Sequence, residues 1–161
     1  MANSILLIVL MSLSLNVHAY CFKEAGFKMK IDPLLLLAIS IRESSLKYTA
    51  IGLNKNKNNL VVSSDYGLMQ INSNNVDSIF SKYGITKEIL LEKPCINVYA
   101  GAYILRENFD RWGENWWSVG AYNAGPKKSP EQQIKRERYA NEIKSIYLNL
   151  IKMDKLGKVN I

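Results

Sequence analysis

The apolar positions of the chain fall into runs of two kinds. Leu34 to Ile39 is unbroken hydrophobic sequence, whereas later segments repeat apolar residues every three or four positions. Asp32 precedes Pro33, a pair that caps a helix and supplies its first position, so a helix is predicted from Pro33 with no polar face until Ser40. Such a helix must be buried, and it carries Glu43 and Ser44 at its end. Asn54 to Asn59 alternates Asn and Lys without apolar period and reads as an exposed loop. Leu60-Val61-Val62 predicts a short strand or hairpin leading to Asp65. Val98, Ala102, Leu105 and Phe109 mark a helix over Ile96 to Trp112 that Gly113 can end. A short helix follows from Trp116 to Asn123, closed by Gly125. Ser129 and Pro130 open a long one, with Ile143, Ile146, Tyr147, Leu150 and Ile151 at helical spacing. Residues 155–161 are expected as a flexible tail. The pattern predicts a mainly α, single α-rich (α+β) domain with a small β-hairpin region.

The N-terminal pattern differs. Ile5 to Val17 is uncharged and mostly apolar, and Val17-His18-Ala19 offers small residues at both positions a signal peptidase reads. Residues 1–19 are therefore expected as a signal peptide, although Met1 to Ser4 lack the usual Lys or Arg. The run is shorter than the ~20 apolar residues of a spanning helix, and Tyr20 stands where a lipid-anchored Cys21 would need a small residue. The expected product is an exported, soluble, periplasmic protein beginning at Tyr20. His18, the one histidine, is lost with the leader. That removes Ser-His-Asp and Cys-His catalysis and His-Glu-x-x-His zinc sites, leaving carboxylate chemistry, a Ser-Lys pair or no catalysis. No metal-ligand cluster is visible, and no cofactor is expected. In an oxidising compartment Cys21 and Cys95 most simply form a disulfide; two free thiols would lack a basic partner.

Composition adds one domain's worth of core and a basic balance. The 161 residues are 48% hydrophobic with a formal net charge of +7, and cleavage leaves that charge unchanged because residues 1–19 hold no Asp, Glu, Lys or Arg. A basic surface suits nucleic acid, anionic headgroups or a bacterial wall with carboxylate-bearing stem peptides; composition by itself favours a plain solvated basic face. A nucleic-acid stripe interleaved with aromatics is missing, and Lys127-Lys128 and Lys135-Arg136 read as solvated helix edges.

Three clusters carry candidate chemistry. Glu43 ends an apolar helix, where desolvation would raise its pKa and suit it to act as a general acid; a Glu in a last helical turn otherwise points to solvent. Asp65-Tyr66-Gly67-Leu68-Met69-Gln70-Ile71-Asn72 surrounds a glycine with a carboxylate, a ring and amides. Gly67 would let a ligand approach the backbone with Met69 beside it, and Gln70 and Asn72 offer paired donors and acceptors for sugar hydroxyls and acetamido groups. The plainer reading is a turn feeding a buried strand. Ala121-Tyr122-Asn123-Ala124-Gly125 joins a ring to an amide, or is simply a helix C-terminus. Trp112, Trp116 and Trp117 could stack on sugars, with at least one of them in the core.

Taken in order, Glu43-Ser44, Gly67 to Ile71, Ala121 to Gly125 and Tyr139 resemble the motifs of soluble, goose-lysozyme-like lytic transglycosylases over roughly Ile31 to Tyr147. The resemblance implies a lysozyme-like fold over residues 20–154 and cleavage of the bond between N-acetylmuramic acid and N-acetylglucosamine to 1,6-anhydro ends, without cofactor. It implies Glu43 as acid and then base, Ser44 orienting it, Gln70, Tyr122 and Asn123 lining sugar subsites, and Tyr139 hydrogen-bonding near the Glu43 carboxyl. The small size resembles specialised members accompanying type III or type IV secretion and conjugation machines. A monomer acting on peptidoglycan strands, with such an apparatus as partner, is expected. Ser64 to Ser73 also resembles the second-carboxylate segment of c-type lysozymes, which makes Asp65 a candidate catalytic partner and leaves a retaining hydrolase open. A wall-binding module without turnover is the other alternative, and the intact Glu43-Ser44 argues against it.

Overall fold

The computed structural model describes residues 20–161; the expected signal peptide, with His18, lies outside the described residues. Among the described residues seven helices surround a small sheet: α1 (Phe22–Met29), α2 (Pro33–Ser44), α3 (Ser73–Asn75), α4 (Lys87–Glu92), α5 (Pro94–Trp112), α6 (Trp116–Ala124) and α7 (Pro130–Lys155). The strands are β1 (Ile51–Lys55), β2 (Val61–Tyr66) and β3 (Ile71–Asn72), antiparallel in the order β1-β2-β3. A π-helical turn, Val76–Phe80, and a 3-10 turn, Ser81–Tyr83, lead from α3 toward α4. The protein is mostly helical with one small sheet, as the hydrophobic pattern predicts.

The start of α2 follows from its cap. Asp32 Oδ1 accepts from the Leu34 N–H at 2.8 Å while Pro33 occupies the first turn. Leu36, Leu37 and Ile39 are almost fully buried, so α2 runs through the middle of the molecule, against α1, α5 and α7. At its other end Ser45 adopts φ 52° and returns its N–H to Ile41 O at 3.0 Å. The helix therefore stops with Glu43 at the edge of the core.

Several sequence boundaries move. Helix α5 begins at Pro94, two residues before the expected Ile96, because proline again fills the first turn. Helix α6 extends one residue to Ala124, with Asn115 capping the Ser118 N–H at 3.0 Å. Helix α1 had no sequence prediction: its two turns bury only Phe22, Ala25 and Gly26, too few positions to establish a period. The disulfide Cys21–Cys95 ties the start of α1 to the first turn of α5 across 74 residues. Closing a loop of that length stabilises by about 4 kcal/mol in the chain-entropy account.

Three surface expectations also change. Asn54 and Lys55 belong to β1, and the turn is narrower, with the Asn56 side chain accepting from the N–H groups of Asn58 and Leu60 at 2.9 and 3.1 Å. Arg136 is buried rather than a solvated edge: it donates to Gly125 O and Lys127 O at 2.8 and 2.9 Å and lies over Trp117. Residues 156–161 turn back at the end of α7, where Lys158 N–H donates to Met153 O at 3.0 Å and Val159 and Ile161 pack against the core.

Candidate active site

A cleft of about 490 Å³ opens between the sheet and the helices. Helix α2 contributes Glu43, the sheet contributes Asn54, Ser63, Asp65 and Asn72, and the turn before β3 contributes Gln70. Ile104 and Asn108 of α5 and Tyr122 and Asn123 of α6 complete the lining. Thus six of the sequence candidates, Glu43, Asp65, Gln70, Asn72, Tyr122 and Asn123, meet in one place. Among the described residues lining the cleft none is Lys or Arg, so the basic charge of the chain lies elsewhere. Phosphate groups would meet two carboxylates there, which counts against nucleic acid as the ligand of this cleft.

Glu43 is partly exposed, but its carboxyl is sunk against protein. Burial pushes its pKa above the ordinary carboxylate range, and the Asp65 and Glu142 charges push the same way. Second only to burial, a hydrogen bond from Tyr139 and then the charge of Arg42 act in the opposite direction, each outweighing the Asp65 and Glu142 charges. Tyr139 is almost fully buried and its hydroxyl donates to Glu43 Oε1 at 2.6 Å. That commits Oε1 as an acceptor and leaves Oε2 to carry an acid proton. Burial, followed by the Glu43 charge, raises the Tyr139 phenol well above its usual value, so it stays a donor. Arg42 lies over the Tyr139 ring at 5.4 Å but points its guanidinium at Glu142, 2.6 Å away.

Asp65 lines the same cleft in different company. Its Oδ1 accepts from Asn72 Nδ2 at 2.7 Å and its Oδ2 from Asn54 Nδ2 at 2.8 Å. Tyr122 reaches over the turn to donate to Met69 O at 2.8 Å, and burial raises its pKa well above normal, with the Glu43 and Asp65 charges adding to the effect. Gln70 adopts φ 47° and donates to Gly67 O and Ala50 O at 2.8 and 3.3 Å, so it braces the sheet as well as lining the cleft.

Three candidates lie elsewhere. Ser44 does not hold the Glu43 carboxyl: its hydroxyl bonds to Leu68 O at 2.9 Å and Ser40 O at 3.1 Å, fixing the end of α2 to the turn. Gly67 and Met69 are buried and do not line the cleft. Gly67 has φ 74°, and a Cβ there would fall 2.2 Å from Asn97 Nδ2, so the close approach it permits is to a protein side chain. Asn97 escaped sequence reading. It is fully buried, accepts from Met69 N–H at 2.8 Å and donates to Tyr66 O and Leu90 O at 2.8 and 3.1 Å. An amide between apolar Ile96 and Val98 on a core helix was the available signal. None of Trp112, Trp116 and Trp117 lines the cleft; Trp112 and Trp117 meet edge to face at 5.2 Å and Trp116 lies against Tyr147.

Residues 20–146 match the family model described as the transglycosylase SLT domain. The chain belongs to that family. It is a peptidoglycan lytic transglycosylase, an enzyme of glycosidic bond cleavage. It is 45% identical over 130 residues to an X polypeptide of Escherichia coli, covering 81% of this chain and 73% of that one. It is 41% identical over 148 residues to invasion protein IagB of Salmonella typhi, covering 91% and 88%. Its fold matches, with a TM-score of 0.64 and 19% identity, an inactive Glu-to-Gln mutant of lytic transglycosylase Slt from Pseudomonas aeruginosa. That match covers 91% of this chain and 25% of the Slt chain.

Proposed function

We propose that this enzyme cleaves the β-1,4 bond between N-acetylmuramic acid and N-acetylglucosamine and leaves 1,6-anhydro ends, with Glu43 as the single acid and base. The observation that carries the reading is the Glu43 carboxyl, buried at the cleft edge with one oxygen held by Tyr139. Glu43 Oε2 gives its proton to the glycosidic oxygen as the C1–O bond breaks. The muramic acid 6-hydroxyl then closes on C1 and returns a proton to Glu43, so no water is consumed and the enzyme is regenerated. Burial favours the protonated form needed first; the Tyr139 bond and Arg42 favour the carboxylate needed second. Gln70, Asn72, Tyr122 and Asn123 supply amides and a phenol to sugar hydroxyls and acetamido groups.

Asp65 contributes by stabilising positive charge at the sugar ring. Its position in the same cleft, with a charge felt by Glu43, also supports a second reading as a retaining, lysozyme-type hydrolase. Mass analysis of digested sacculi separates the two. Anhydro-muropeptides are the expected product, and reducing ends in their place would establish the hydrolase.

The setting belongs to the same proposal. The protein acts as a monomer in the periplasm after removal of residues 1–19, opening the wall locally for a secretion or conjugation apparatus. Likeness to a protein named for invasion supports that setting. Among the described residues no helix is long and apolar enough to cross a membrane. Deletion in a strain carrying such an apparatus should reduce its assembly, with restoration by wild type but not by Glu43→Gln.

A further inference from the structure

The sheet face toward the cleft holds a closed polar cluster built from all three strands. Asn54 stands opposite Ser63 in the β1–β2 register, and Asp65 opposite Asn72 in the β2–β3 register. Ser63 Oγ accepts from both amides, from Asn54 Nδ2 at 3.0 Å and Asn72 Nδ2 at 3.1 Å. Each amide gives a shorter bond to one carboxylate oxygen of Asp65. The orientation of Asn72 is set independently, because its Oδ1 accepts from the Asn74 N–H at 2.9 Å and only its NH₂ can face Asp65. Asn54 presents its NH₂ to the same two residues from the other side.

We infer that Asn54 is a positioning residue for the reaction, which acts with Asn72 to hold Asp65 by both carboxylate oxygens and fix its charge toward the cleft. This rests on the proposed wall-cleaving function and adds to it a role for β1. A free aspartate on an exposed strand has two side-chain torsions to settle and would have to reorganise as positive charge develops on the sugar. Two amides 2.7 and 2.8 Å away settle both torsions beforehand. Preorganised charge of this kind acts without reorganisation in the transition state. The amides also draw electron density from both oxygens, so the clamp suits an electrostatic stabiliser better than a nucleophile. Ser63, accepting from both amides, keeps its own hydroxyl hydrogen for a sugar or water in the cleft. The device uses residues from β1, β2 and β3, so the hairpin does more than wall the cleft.

A mutant cycle on sacculi digestion tests it. Asn54→Val keeps a strand-favouring residue and removes the donor, and Asn54→Ala is the second variant. Both are expected to lower kcat about tenfold with KM within about twofold, the size of one lost hydrogen bond to a charged group. In an Asp65→Asn background the same changes should have no further effect, because Asn54 acts only through the carboxylate. Equal loss in both backgrounds overturns the inference, as does unchanged turnover in Asn54→Val. An inert Asp65→Asn change in an active enzyme also overturns it while leaving the Glu43 mechanism standing. Wild-type protein that releases no muropeptides would instead sink the proposed function.

Discussion

Glu43 and Asp65 bring the same functional group to one cleft from a helix and from a sheet, and their surroundings are opposite. Glu43 ends a core helix, with a buried phenol on one oxygen and burial as the dominant influence on its proton. Asp65 lies on a sheet in which Ile51 and Leu53 of β1 and Val61 and Val62 of β2 are more than half exposed while Ile71 of β3 is buried, and it is held by two amides. The helical side makes a carboxyl whose proton is harder to remove; the sheet side makes an acceptor held by two amides. The proposed assignment of acid and stabiliser therefore rests on environment, not residue type.

The largest test of the contrast is Glu43→Gln. It should lower release of muropeptides from sacculi by about three orders of magnitude, within the range for general acid catalysis. Activity within tenfold of wild type would remove Glu43 from the mechanism. The same change has an opposite effect on stability. A carboxyl whose folded pKa is raised contributes stability fully below its unfolded pKa, and that contribution is lost as pH rises through the folded value. As pH rises through the raised Glu43 pKa, wild type must either hold a proton or bear a desolvated charge, a cost the glutamine variant lacks. Glu43→Gln should melt higher than wild type at pH 7 to 8, with the difference vanishing near pH 4.

Asp65→Asn should come next, with activity reduced by about a hundredfold, the lower end of the scale for one lost electrostatic partner of the transition state. Because the Asp65 charge raises the Glu43 pKa, its removal should move the alkaline limb of the pH–rate profile to lower pH. An unchanged rate and profile would reduce Asp65 to a structural residue of the sheet.

Legibility in the sequence divides along the same line, between helix and sheet. Helix α2 could be read because capping and burial are local: Asp32-Pro33 and the unbroken apolar run lie within a dozen residues of Glu43. The sheet side was less legible. Asn54 reads as loop beside alternating Asn and Lys, and its partners Ser63 and Asp65 become visible only once the strands are in register. Gly67 shows the same limit. Its glycine requirement comes from Asn97, thirty positions away, so local sequence suggests a ligand where the fold places a side chain. Tyr139 follows from motif order alone; its bond to Glu43 joins residues 96 positions apart.

Tyr139→Phe sharpens the helical side. Its hydroxyl lowers the Glu43 pKa by stabilising the carboxylate, so its loss should move the alkaline limb to higher pH. The carboxylate needed to accept the 6-hydroxyl proton becomes harder to form, and turnover should fall about tenfold, in line with a lost hydrogen bond to a charged group. A limb that moves to lower pH would mean that the phenol favours the protonated acid instead.

The smallest expected effect lies at the rim. Glu142 holds the Arg42 guanidinium at 2.6 Å, with both side chains more than a third exposed. The Arg42 charge lowers the Glu43 pKa and the Glu142 charge raises it, so the ion pair partly cancels its own influence on the acid. Glu142→Gln removes the raising partner and frees Arg42, and both consequences move the Glu43 alkaline limb toward lower pH. Exposure keeps the effect small, since surface pairs contribute about 0 to 1 kcal/mol and are screened by salt. The shift should therefore shrink between low and high ionic strength, while the Tyr139→Phe shift, arising from a direct hydrogen bond given by a buried phenol, should persist. Equal salt sensitivity in the two variants would break the distinction between a buried acid tuned from within and a rim charge tuned through solvent.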